Sequence, residues 1–195
     1  SSIGDTTVVT NKWMLGTRNS FIIGISATFL ATALGTVAAL GLSRRNMPFK
    51  GTIMAILISP MIVPLIITSA GMFFFYSKVG LTHTYLGLIL AHTALGTPFV
   101  VITVTATLTG FDTNLIRASQ SLGADTMRTF FKVIMPLILP GVISGALFAF
   151  ITSFDEVVVV MFVGSVEQIT IPKQMWAGLR QETSPVILCM ATCLV

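Results

Sequence analysis

The sequence predicts an all-α polytopic membrane protein, and three observations carry that prediction. Of its 195 residues, 54% are hydrophobic and only 9% charged, where soluble domains carry about 25% charged residues. The mean hydropathy is +0.93. The apolar residues gather into charge-free runs of roughly 20 residues or more, the length that crosses a bilayer as a helix. The run 21–42 is the plainest.

The elements follow in order. Residues 1–17 are polar, with Trp13 and Met14 as interfacial anchors. The first span, 21–42, repeats small residues every four positions at Ala31, Gly35 and Ala39, and again at Gly24 and Thr28. Such stripes let helices approach closely, so this span packs inside a bundle. Arg44, Arg45 and Lys50 bracket a short loop containing Pro48. The second span, 51–76, holds Pro60 and Pro64, which remove two backbone donors and predict a bend. The freed carbonyls need protein or water, which places the bend at a bundle interior or cavity. Phe73, Phe74, Phe75 and Tyr76 read as an aromatic belt at the outer interface.

A turn over 78–84 leads to the third span, within 85–109, which carries His92, Gly96 and Pro98. An intramembrane histidine is a functional candidate by default, and it reads more simply as hydrogen-bonded to a facing helix. The fourth span, 136–163, repeats the small-residue stripe at Gly141, Gly145 and Ala149 and holds Asp155 and Glu156. A polar link, 164–184, carries Pro172, Trp176 and Arg180, and Pro185 opens an incomplete span over 185–195. Both ends are expected to be truncated, with one further span before Ser1. Residues 1–195 thus form a single transmembrane domain.

Charge and cysteine use exclude several classes. The net charge of +4 is spread through loops with no basic run, so nucleic acid is not an expected partner. Cys189 and Cys193 are four apart in an apolar stretch with no further ligands nearby, and read as small apolar side chains. No Gly-x-x-x-x-Gly-Lys-Ser/Thr loop is present, so this chain does not itself bind and hydrolyse ATP. No Ser/His/Asp or metal-ligand cluster points to hydrolysis or redox chemistry.

Between the third and fourth spans lies a polar island, 110–135. Asp112 is placed to cap a short helix and Gly123 to close it with a left-handed residue; Asp125 can cap a second helix carrying Phe130, Phe131 and Ile134. Two short helices joined at a glycine form a compact knob suited to being gripped. The order Ala118, Ser119, Leu122, Gly123, Ala124, then Phe130, Pro136 and Pro140 resembles the cytoplasmic EAA loop of permease subunits in binding-protein-dependent ABC importers. Arg117 departs from that pattern, which usually has a glutamate there, and Ser119 replaces its second alanine.

The resemblance runs from about Asn19 to the end. It implies a type I ABC importer permease fold of five to six helices in the full chain, located multi-pass in the bacterial inner membrane. It implies that Arg117, Ala118, Ser119, Leu122, Gly123, Ala124 and Phe130 couple to an ATPase. The island would then be cytoplasmic. Lys/Arg counts alone give six on that side (Arg44, Arg45, Lys50, Arg117, Arg128, Lys132) against five opposite (Lys12, Arg18, Lys78, Lys173, Arg180), so the motif decides the orientation. The implied partners are a second permease subunit, an ATPase dimer that holds ATP and Mg, an external binding protein and the lipid membrane. This chain itself is expected to hold no cofactor and to be no enzyme.

Within that family, Ser153 to Val159, with Phe162-Val163, Ile171-Pro172 and Trp176, resembles the second permease subunits of spermidine/putrescine importers. That implies a small cationic solute, with Asp155, Glu156 and Trp176 along its path. Adjacent helix residues diverge by about 100°, so one acid can line the pathway while the other supports it. Permeases for other small solutes, such as amino acid derivatives, aminophosphonates or iron, share much of this pattern. An ion-driven secondary transporter using His92 with Asp155 or Glu156 is a rival, which the coupling loop argues against. A purely structural subunit leaves the acidic pair unexplained.

Overall fold

The computed structural model describes residues 2–44, 46–110, 112, 114–181 and 189–192. Arg45, Pro185, Cys193 and most of the expected last span lie outside the described residues, as does the side chain of Arg180. All regular structure among the described residues is helical: α1 (Ser2–Leu42), α2 (Lys50–Ile62), α3 (Leu65–Val79), α4 (Tyr85–Thr109), α5 (Asn114–Ser121), α6 (Thr126–Thr129), a π-helical turn (Phe130–Ile134), α7 (Met135–Phe154), α8 (Val158–Val163) and α9 (Ile171–Gln181). Among the described residues three stretches are long and apolar enough to cross a membrane, Asn11–Leu42, Tyr85–Thr109 and Thr126–Phe154. The pair α2 and α3 makes a fourth if taken as one broken span.

Three expected boundaries shift. The polar residues before the first span continue α1 instead of preceding it. The second span divides at Pro64, whose carbonyl accepts the Ile67 and Thr68 amides at 2.9 and 3.1 Å and so opens α3; a proline fits a helix start, where its missing N–H costs no bond. Pro60 is carried inside α2. The fourth span stops at Phe154 and resumes as α8, for a reason given below.

Contacts divide the chain into two compact units, 1–26 with 63–92 and 151–195, and 27–62 with 93–150. In the second unit Ala31, Ala39, Val100, Val104, Ile138, Val142 and Ala149 form the core. Both small-residue stripes face α4. A Cβ at Gly35 would lie 2.6 Å from Val100 Cβ, and one at Gly145 would lie 2.8 Å from Val100 Cα. One at Gly141 would collide with the Thr107 side chain. The backbones therefore approach as the spacing predicts. Along α4 the hydroxyls of Thr97, Thr103 and Thr107 donate to carbonyls one turn back, at 2.7 to 3.0 Å, which satisfies them without leaving the apolar interior.

The first unit is fastened by polar side chains. Asn19 Nδ2 donates to the carbonyls of Glu167 and Ile169 at 3.0 and 2.9 Å, while its Oδ1 accepts from the Tyr85 hydroxyl at 2.9 Å. Ser20 Oγ accepts the Ile171 amide, and Gln168 Nε2 donates to the His83 carbonyl, both at 2.9 Å. These bonds seat the link 164–170 against α1 and against the turn before α4. Helix α8 packs against α3.

Candidate functional site: the knob and the break after α7

The polar island folds as its residues direct. Asp112 Oδ1 accepts the Asn114 amide at 2.9 Å, and Asp125 Oδ1 accepts the Arg128 amide at 2.8 Å. Between them Gly123 takes φ +80°, and the amides of Leu122, Gly123 and Ala124 close α5 onto Ala118, Gln120 and Ser119. Inside the knob, Ser119 Oγ and Thr129 Oγ1 hydrogen-bond at 2.9 Å and join α5 to α6. Serine at this position thus ties the two helices together. Behind the knob lies a cavity of about 470 Å³, lined by Leu40, Arg44, Ile116, Gln120, Thr129 and Phe130.

The outer surface of the knob is apolar with basic residues among the hydrophobic ones. Leu122 is 89% exposed, and Leu115, Met127 and Phe131 are exposed with it. Arg117, Ala118, Gly123 and Arg128 are also exposed, whereas Ser119, Ala124 and Phe130 are partly covered. Phe130 packs edge-on against Phe131 with ring centroids 5.0 Å apart. The π-helical turn that follows is closed by the Met135 amide on the Phe130 carbonyl, directly before Pro136. No feature of the sequence reading anticipated it.

The acidic pair divides. Asp155 is exposed, with its amide on the Ile151 carbonyl at 3.0 Å, so it ends the last turn of α7. Glu156 is buried, 7% exposed, and its Oε1 accepts the Val159 amide at 2.9 Å. In a continuous helix the Val159 amide would reach the Asp155 carbonyl; the Glu156 carboxylate takes it instead, where the helix breaks. Trp176 is exposed on α9, a helix inside the link that was read only as polar. Pro172 in its first turn is the signal that could have revealed it.

His92 is 1% exposed and its Nδ1 meets Ser153 Oγ of α7 at 2.8 Å, the facing-helix bond that the sequence favours. Lys173 was not singled out by sequence. Its Nζ reaches from α9 to the carbonyls of Val160 and Ser165 at 3.2 and 3.3 Å, and burial lowers its ammonium pKa below the ordinary lysine value. Of the aromatic belt, Phe74 and Phe75 are exposed while Tyr76 is buried.

An apolar multi-span chain with an exposed two-helix knob between its spans has the architecture of a transport permease. Residues 31–195 match the family of binding-protein-dependent transport system inner membrane components, and the chain belongs to that family. It is a permease subunit, a multi-pass protein of the bacterial inner membrane that works with other components of its transport system. It is 31% identical over 177 residues to the spermidine/putrescine transport system permease protein PotC of Haemophilus influenzae, covering 91% of this chain and 69% of that one. It is 30% identical over 186 residues to the putrescine transport system permease protein PotI of Escherichia coli strain K12, covering 90% of this chain and 65% of that one. The chain thus spans about two thirds of the length of these relatives. Its fold is similar to a chain of the MetNI methionine ABC transporter in an inward-facing conformation, with TM-score 0.73 and 20% identity, over 95% of this chain and 88% of that one.

Proposed function

We propose that this chain forms half of the translocation pathway of an ATP-driven importer for a small cationic solute, a polyamine such as putrescine or spermidine. A second permease chain supplies the other half, two ATPase subunits that hold ATP and Mg supply the work, and an external binding protein delivers the solute. The observation that carries the reading is the knob. Leu122 and Leu115 are exposed on a polar segment outside the membrane-spanning stretches, so an apolar groove on another protein is the natural cover for them. Nucleotide-driven closure of the ATPases moves the knob, and the helices follow as a rigid-body switch between two states. The names of the relatives support the polyamine assignment. Asp155 supports it physically: a carboxylate at the exposed end of an apolar helix supplies negative potential to an ammonium group, whereas burial in lipid would cost about 2.5–3.5 kcal/mol. The test is uptake of labelled putrescine by cells carrying the whole transporter and its binding protein. Asp155→Asn is expected to express normally and to lose most uptake. Wild-type uptake by that variant removes the main physical support for the cationic solute.

A further inference from the structure

Helix α8 has only six residues, far below the length at which a helix is stable alone, and both of its ends are held by charged side chains. At its start the Glu156 carboxylate accepts the first-turn Val159 amide at 2.9 Å. At the far end the Lys173 ammonium donates to the Val160 and Ser165 carbonyls at 3.2 and 3.3 Å. Negative at the start and positive at the end is the polarity that complements the helix dipole. The link that brings Lys173 there is itself seated by Asn19, Ser20 and Gln168. Both charged groups are thereby committed to backbone partners. Asp155, one residue before Glu156, remains exposed at the end of α7.

We infer that Glu156 and Lys173 are positioning residues for transport: they clamp α8 from its two ends, fix the break after α7 and so hold Asp155 in place, and neither meets the solute. The inference rests on the reading above that Asp155 faces the solute. It assigns which acid of the pair lines the path and which supports it, and it gives a role to a lysine beside that path.

The experiment uses the complete transporter in proteoliposomes with its binding protein, reading putrescine taken up per ATP hydrolysed at equal permease content. Glu156→Gln keeps an oxygen acceptor and Lys173→Arg keeps a donor, and both are expected to retain uptake within about threefold of wild type. Glu156→Leu strands the Val159 amide and Lys173→Met the Ser165 carbonyl, and both are expected to lose about tenfold or more, in line with the cost of unsatisfied groups. In the Asp155→Asn background, Glu156→Leu should add little, because the group it positions is already neutral. Equal loss in Glu156→Gln and Glu156→Leu, or full additivity with Asp155→Asn, overturns the inference while leaving the pathway role of Asp155 intact. Wild-type uptake in Asp155→Asn overturns that role and the inference together. If Glu156→Leu does not reach the membrane, the Lys173→Met and Lys173→Arg pair decides by the same contrast.

Discussion

Gly123 is the residue whose role is purely one of backbone. Its φ of +80° is left-handed, and a Cβ there would meet nothing within 4 Å, so any loss on substitution comes from conformation and not from crowding. Gly123→Val should cost about 1 kcal/mol or more of knob geometry, whereas Gly123→Asn, which tolerates the left-handed region, should cost little. Copurification with the ATPase checks this: the valine variant is expected in the membrane but poorly associated, and the asparagine variant associated. Equal association of both would remove the glycine from the docking argument. Single residues of this kind were legible in sequence because capping and turn chemistry are local: Asp112, Gly123 and Asp125 all do what their neighbours dictate. That Asp155 and Glu156 divide was legible from their 100° divergence, but which of them is exposed and which buried was not. Two adjacent carboxylates look alike until the fold shows which one meets the amides of a broken helix. Lys173 was silent for the same reason, since its acceptors lie eight and thirteen residues away.

At the level of elements, the periodic signals were faithful and the interruptions were not. The stripes of small residues at 31, 35 and 39 and at 141, 145 and 149 do face a close neighbour, because a four-residue repeat leaves one geometry open to a helix pair. A side chain at Gly145 has no room: its Cβ would lie 2.5 Å from Thr103 Oγ1 and 2.8 Å from Val100 Cα, and the latter is backbone. Gly145→Leu should therefore destabilise the permease by about 1–3 kcal/mol through overpacking. Gly41, on α1 with nothing within 4 Å of its Cβ position, is the control, and Gly41→Ala should be close to neutral. Thermal unfolding of the detergent-purified protein separates the two, and equal melting of Gly145→Leu and Gly41→Ala would refute the close approach. Hydropathy gave no warning that 136–163 would break, since a buried glutamate among valines averages away over a window. Nor did it show α9, whose polar composition reads as a link although Pro172 marks a helix start. Pro64 was correctly a disruption, but it opens a new helix instead of bending an old one.

For the whole molecule, the docking role proposed for the knob makes, through the knob's charge, a prediction about the partner. Arg117, Arg128 and Lys132 are all exposed there, and the two knob carboxylates, Asp112 and Asp125, each already accept a backbone amide. On α5 the partly covered residues are Ile116 and Ser119, so Arg117 falls with Ala118 and Ser121 on the opposite, outward arc, by the 100° spacing of a helix. It is therefore placed outward, where a partner that docks on α5 would meet it. The resembled loop carries a glutamate at this place, and a groove built for that glutamate would repel an arginine. The ATPase that serves this permease is accordingly expected to present an acidic or neutral group opposite Arg117, with charge setting partner choice more than raw affinity. Arg117→Glu should weaken association with the native ATPase, and a charge-reversing substitution of the facing acid should restore it. A double-mutant cycle between the two positions is expected to give a coupling of about 0.5–3 kcal/mol. Zero coupling at every acidic position of the groove would place Arg117 in solvent and leave the apolar contacts of Leu122 to carry the docking alone.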